Sequence, residues 1–490
     1  MTLGGLIKMN ITIFTEKTTG KVNQYWTKCV GSCHAATALR EDWRKQLKKC
    51  REELGFEYVR FHGLLNDDMS VCLKKEDGTF EYSFFNIDSI FDFLLEIGMK
   101  PFIELSFMPT ALASGTKTIF HYLGNITPPK SYDDWGKLIG ALAEHLVQRY
   151  GADEVRKWFF EVWNEPNLDI FWSGTMEEYF ELYRHAAFAI KKADSELKVG
   201  GPASAIDAWI PELREFCRKE NVPLDFISTH HYPTDAAYGL GLDMEEQMAR
   251  ADRGTLTEKL RKALEEADPL PVYYTEWNNS PSPRDPYHDT PYNAAFIIKT
   301  ITDNMKLDRI DLLKCYSFWT FSDIFEESGF SSVPYHGGFG LLNIHGIPKP
   351  SYRAFQMLSR LNGDKLETAA DQENTTVDCA ASRSSEGITI LLSNHNVPKA
   401  PIKTEKVSIL LKGLKNVRSV SMQRIDETHS NPKKAWIEMG SPTYLNREQI
   451  QTLIEASELK NETADWSADE EGVKIELAIQ PHSAVAITIK

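Results

Sequence analysis

The chain has no run of about 18 consecutive apolar residues, which excludes a membrane-spanning helix at the level of sequence. It has few cysteines, seven in 490 residues, scattered and odd in number. A disulfide framework is therefore excluded, and reduced thiols in a cytoplasmic protein are expected. Basic residues are the minority, 55 Lys+Arg against 70 Asp+Glu for a net charge of −15. That balance argues against nucleic acid or an anionic membrane as the main partner. Internal repeats and low-complexity tracts are missing too. The opening MTLGGLIKMNITIF has a short apolar stretch but no small-residue cleavage site, so no signal peptide is expected. What remains is an ordinary globular composition, 42% hydrophobic and 26% charged. Its length suits two or three domains, or one large barrel with an appendage.

From about residue 28 short β-rich runs alternate with amphipathic stretches. The strand candidates are CVGSCH (29–34), YVRFHG (58–63), PFIELSF (101–107), WFFEVWNE (158–165), KVGGPAS (198–204), DFISTHHY (225–232), PVYYTEWN (271–278) and KCYSFWTF (314–321). Between them lie helical patterns, two of which stop at Gly55 and Gly98 as helices do. Eight strands each followed by a helix predict an α/β fold, a (β/α)8 TIM barrel spanning 15–345. Long Gly/Pro/aromatic loops after strands three, six, seven and eight place function at the carboxyl ends of the strands. After Leu361 the pattern turns to strands such as GITILLSNHN and VSILLKGL. Residues 1–14 with 346–490 are predicted to form an accessory antiparallel β-sandwich. Only the segment near 446–459 reads as helical there, with Asn446 and Gln449 as a capping box.

WFFEVWNEPN (158–167) carries the chemistry. Glu161 and Glu165, four apart, would share one face of a helix, but Pro166 and the aromatic density favour a strand. Alternation then turns Phe159, Glu161, Trp163 and Glu165 inward, with Glu161 about 13 Å deeper than Glu165. Glu161 should pair with a cation such as Arg60, and Glu165, at the rim, should stay protonated as a general acid. PVYYTEWN puts Glu276 at the equivalent end of strand seven. Two acids across a barrel mouth, separated by about 5–5.5 Å, suit glycoside hydrolysis with retention. A lone strand-end glutamate reads as a surface charge, whereas a pair set among tryptophans reads as acid/base (Glu165) and nucleophile (Glu276). Cys29-x3-Cys33-His34 is half a metal site with no second half. His230-His231 has no third ligand spaced for it, so neither a metal nor another cofactor is expected.

WFFEVWNEPN, with Thr-Glu-Trp at 275–277 and an Ile-Asp…Asn-Pro…Trp…Gly-Ser-Pro run at 425–442, resembles glycoside hydrolase family 39, the β-xylosidase and α-L-iduronidase family. The resemblance implies that Asn164 binds the sugar 2-hydroxyl, that Arg60 supports the nucleophile and that His62 reaches a sugar hydroxyl. It further implies that Tyr232 bonds the nucleophile, that His230 rather than His231 faces the sugar, and that Trp319 floors the ring. Glu326 and Glu327 would hold ring hydroxyls. The acidic Glu326–Glu327 pair suits a neutral sugar over a uronate, with Arg284 the one nearby cation that would reverse this. The function expected is a retaining, exo-acting β-D-xylosidase on short xylo-oligosaccharides. An α-L-iduronidase-like or other β-glycosidase activity is the alternative, and a non-catalytic carbohydrate-binding barrel is a third. Beyond its small carbohydrate substrate, the family also implies a homo-oligomer, a tetramer or a dimer.

Overall fold

The computed structural model describes residues 9–327, 329–372 and 376–490. Eight parallel strands close a barrel in sequential order. They are β1 (Cys29–His34), β2 (Tyr58–His62), β3 (Lys100–Leu105), β4 (Phe159–Val162), β5 (Lys198–Ser204), β6 (Phe226–His231), β7 (Val272–Trp277) and β8 (Leu313–Phe318). Around them lie α1 (Glu41–Leu54), α2 (Phe85–Glu96), α3 (Tyr132–Tyr150), α4 (Met176–Ala193), α5 (Ile210–Glu220), α6 (Thr255–Ala267), α7 (Pro291–Asn304) and α8 (Pro350–Leu358). Local sequence sets several of these ends. Gly55 takes φ +81° to terminate α1, where a residue with Cβ would be strained. Thr175 and Glu178 form a reciprocal capping box at the start of α4, satisfying two otherwise orphan backbone donors.

The barrel interior is layered by chemistry. At the amino-terminal end Cys29, Phe102, Phe159, Phe226 and Cys315, with Tyr58 and Tyr273, form an apolar plug. Above the plug the inward positions become charged: Arg60, Glu104 and Glu161 are each at most 1% exposed. Charges this deep must compensate one another, because an unpaired buried ion costs several kcal/mol.

The accessory strands form one continuous ten-stranded sheet, in which Met9–Lys21 lies between Asp364–Ala370 and Glu405–Lys412. Every pairing is antiparallel except that of Met9–Lys21 with Glu405–Lys412. Both halves of this sheet bury Ile13, Leu366, Ile390, Ile409, Ile475 and Ile487 in one core, so the sheet curls over itself as the two layers of a sandwich. Residues 1–8 of the expected 1–14 segment lie outside the described residues. Two elements cross the boundaries read from sequence. The Met9 strand runs on to Lys21, and α8 buries Tyr352, Phe355 and Leu358 in the barrel's own core. On that packing we propose that the barrel unit extends to about Leu361.

One helix was not anticipated. Besides Arg447–Ser457, which carries the expected Asn446–Gln449 capping box, Pro432–Glu438 is helical, capped by Asn431. At seven residues it is too short to show periodicity. It is held by Trp436, whose ring packs 5.5 Å from Tyr335 of the loop after β8. Among the described residues no helix is long and apolar enough to cross a membrane.

The loops after β7 and β8 are joined by a fully buried cation. Lys349 Nζ lies 2.6 Å from both Asp289 Oδ1 and Asp323 Oδ2 and donates to Gly338 O at 2.9 Å. Lys349→Met should strand two buried carboxylates, costing about 3–5 kcal/mol and lowering the thermal midpoint by several degrees. Lys21→Ala, which removes an exposed pair with Asp364, should barely move it.

Candidate active site

Five barrel strands, β2, β3, β4, β6 and β7, deliver the polar centre, and Arg60 on β2 is its hub. The guanidinium donates from Nε to Glu161 Oε2 (2.6 Å), from Nη1 to Glu276 Oε1 (2.8 Å) and from Nη2 to Asn164 Oδ1 (2.9 Å). Its Nη2 also lies 2.8 Å from Glu104 Oε2. Burial opposes the charge, but Glu161, Glu104 and Glu276 outweigh it and hold Arg60 firmly protonated.

The two rim glutamates are reached by different backbone devices. After Val162 the chain leaves strand geometry, with φ +73° at Trp163 and +45° at Glu165. The Glu165 N–H donates to Ala203 O of β5 (2.8 Å). The expectation that Trp163 shares the inward face is therefore corrected. Its ring packs against Trp135 of α3, Phe107 and Trp172, because the positive φ rotates it out of the alternation. Asn164, in turn, is swung inward to Arg60. On β7 the register slips between Tyr274 and Trp277 against β8. Thr275 and Glu276, adjacent in sequence, consequently both point inward, as bulges allow.

Glu165 and Glu276 lie close but in unlike surroundings. Together with His230 they bring one ligand atom each within 4.8 Å of the others. Glu276 accepts from Arg60 and, on Oε2, from the Tyr232 hydroxyl at 3.0 Å. Burial raises its proton affinity, and Arg60 and His62 oppose the rise. Glu165 meets His230 Nδ1 at 3.0 Å. Burial, then Glu276 and Asp235, push its carboxyl well above the ordinary range. The argument that no third metal ligand was spaced near the histidines does not survive this geometry. Glu276 nevertheless already pairs with a cation, Arg60, and His230 spends its second nitrogen on Thr275 Oγ1 at 3.0 Å.

The remaining predicted residues gather around this pair. His62 Nδ1 meets Glu104 Oε2 at 2.7 Å, and its Nε2 is 3.7 Å from both Glu276 and Glu327. His231 points away to Tyr316 and Asp207. Trp319 lies against β1, where a Cβ on Gly31 would come within 2.4 Å of its ring; only glycine leaves room for the indole. Glu326 is held by His34 Nδ1 at 3.1 Å. Glu327 keeps 12% of its side chain exposed, and desolvation is the chief cause that raises its carboxyl to about 8. Arg284 is exposed. Cys33, half of the Cys-x3-Cys-His pattern, packs with Trp319 and Phe325 and accepts the Glu326 N–H. Sequence reasoning missed Glu104 and Thr275. An acid in PFIELSF at an inward strand position was the one signal available for the first.

The same residues place the chain among known proteins. Residues 9–472 match the family model described as glycosyl hydrolases family 39. The chain belongs to that family. It is 67% identical over 485 residues to a β-xylosidase of Caldicellulosiruptor saccharolyticus, covering 98% of each chain. A β-xylosidase of Geobacillus stearothermophilus is 38% identical, across 89% of this chain and 87% of that one. Among solved structures, a monomeric β-xylosidase from Caulobacter crescentus superposes with a TM-score of 0.84 at 34% identity, covering 98% and 99% of the two chains. This family member is thus a glycoside hydrolase.

Removing the Tyr232 hydroxyl takes a donor from the ionised form of Glu276, so its pKa rises further. If Glu276 works ionised, activity in Tyr232→Phe should be lost at a higher pH on the acid side. A fall in kcat/KM of about 10- to 100-fold at neutral pH is expected, measured as a pH–rate profile on an aryl glycoside.

Proposed function

We propose that the enzyme is a retaining, exo-acting β-D-xylosidase that releases terminal xylose from short xylo-oligosaccharides. The observation that carries the reading is the Glu165–Glu276 pair, whose carboxylate oxygens come within 4.8 Å. Inverting enzymes need about 6.5–9.5 Å to admit a water between the acids. The surroundings divide the roles. Glu276, held by Arg60 and Tyr232, is the anion and therefore the nucleophile. Glu165, buried without a direct cation, keeps its proton and is the acid/base.

In the first step a Glu276 oxygen bonds the anomeric carbon while the bond to the aglycone oxygen breaks. Glu165 gives its proton to that departing oxygen. In the second step Glu165 takes a proton from water, the water oxygen bonds the anomeric carbon, and Glu276 is released. Two inversions leave the configuration retained. Asn164, its Oδ1 committed to Arg60, would present Nδ2 to the 2-hydroxyl, where the contact tightens as the oxocarbenium-like transition state forms. His62, Glu326 and Glu327 would meet the other ring hydroxyls, over Trp319, whereas the expected sugar contact of His230 is not proposed, because Glu165 and Thr275 engage both of its ring nitrogens.

The β-xylosidase names of the relatives support the glycone, and so does local charge. Glu104, Glu326 and Glu327 line the same region, and the Arg60 guanidinium is already shared among four acceptors. A uronate would need a cation of its own, which disfavours an α-L-iduronidase-like activity. Phe107 and Phe171 pack beside His62, and a site closed by such rings would suit exo cleavage.

Glu276→Gln should lower turnover of an aryl β-xyloside by about 10³-fold or more; unchanged turnover would refute the assignment. Glu165→Ala should cripple substrates with poor leaving groups, spare good ones, and regain rate with azide as a β-xylosyl azide forms. Equal losses without rescue would remove Glu165 from the role. In wild type, NMR should find the β-anomer first.

A further inference from the structure

We propose that Thr275 is a positioning residue, its hydroxyl fixing the tautomer of His230 and so keeping the acid/base proton on Glu165. The proposal rests on the assignment of Glu165 as acid/base and adds how the protein holds that proton in place.

A threonine hydroxyl has a single hydrogen. The Thr275 hydroxyl donates to Glu161 Oε1 at 2.7 Å. Glu161 is oriented for this by Arg60, whose Nε takes its other oxygen at 2.6 Å. Only a lone pair of Thr275 Oγ1 is left for His230 Nε2, 3.0 Å away, so Nε2 must carry a hydrogen. A second proton on this ring is opposed first by complete burial, then by Arg60, His62 and His231. The acids facing the ring are Glu165 Oε1 at 3.0 Å and Glu276 Oε1 at 3.7 Å, and Glu276 is already neutralised by Arg60. With His230 neutral and Nε2 protonated, Nδ1 is an acceptor. Its partner at 3.0 Å must then be a donor, which makes Glu165 a carboxylic acid.

The chain Arg60–Glu161–Thr275–His230–Glu165 therefore passes the direction of hydrogen bonding, not a proton, from the barrel interior to its rim. It also gives Glu161, four residues before Glu165, a role: it consumes the threonine's hydrogen. Once Glu165 has protonated the leaving oxygen, its anion faces the Nδ1 lone pair. That repulsion favours taking a proton back from water in the second step.

Thr275→Val keeps the shape but abolishes the acceptor. His230 is then free to adopt the other tautomer and donate from Nδ1 to ionised Glu165, which lowers the pKa of Glu165. The alkaline limb of kcat/KM on an aryl β-xyloside should move about one pH unit toward acid. Turnover of a poor leaving group should fall up to about 10-fold on the alkaline side of that limb, while an activated dinitrophenyl xyloside is nearly spared. Thr275→Ser should restore both properties. Where Thr275→Val does not fold, Thr275→Ala carries the same expectation. An unmoved alkaline limb, equal losses on the two substrates, or no restoration by serine would overturn the proposal. Failure of the azide rescue in Glu165→Ala would instead overturn the assignment beneath it, so the two failures are told apart.

Discussion

The guanidinium of Arg60 is the constraint on which the centre depends. It is fully buried and meets Glu161, Glu276, Asn164 and Glu104 at once. Three carboxylates that would otherwise repel one another in a dry barrel become mutually tolerable through this one cation. Its reach also creates an asymmetry. Glu276 lies within its hydrogen-bonding shell, whereas Glu165 is bonded to neutral His230 instead. On the proposed assignment, one arginine thereby separates an anion from an acid a few ångströms away, as environment can assign two roles to one residue type.

The rest of the fold holds this arrangement still. The aromatic plug below Arg60 excludes water from the amino-terminal end, so the charges compensate each other rather than being solvated. Above, the loops after β7 and β8 are joined by Lys349 with Asp289 and Asp323. They are backed by the accessory domain through Trp436 on Tyr335 and Lys433 Nζ on Pro286 O at 3.1 Å. Gly31 lets Trp319 settle against β1. The accessory domain, through its Pro432–Glu438 helix, is thus in physical contact with the loops that carry Trp319, Glu326 and Glu327.

The barrel was legible in the sequence because each strand is a short apolar run closed by a turn signal, and the helices end at residues such as Gly55. The pairing of Glu161 with Arg60 was legible from its inward strand position. Side-chain direction at the strand ends was not. Trp163 and Glu165 take positive φ, and a bulge turns both Thr275 and Glu276 inward, so period-two reasoning fails where the chemistry sits. Glu104 was hidden because an acid within PFIELSF names no partner until β2 and β3 lie side by side. The Pro432–Glu438 helix was hidden because its stability comes from Trp436 packing rather than from its own pattern.

The account's central claim is a placement of protons, and the most direct measurement reads it without turnover. In enzyme labelled with 13C at the glutamate carboxyl carbons, NMR titration of the free protein, assigned through Glu165→Gln and Glu276→Gln, reports each group. The account predicts a pH window in which Glu276 is ionised while Glu165 still carries its proton, the Glu165 signal moving only at higher pH. Glu165 ionising first, or both groups titrating together at an ordinary carboxylate pH, would contradict it.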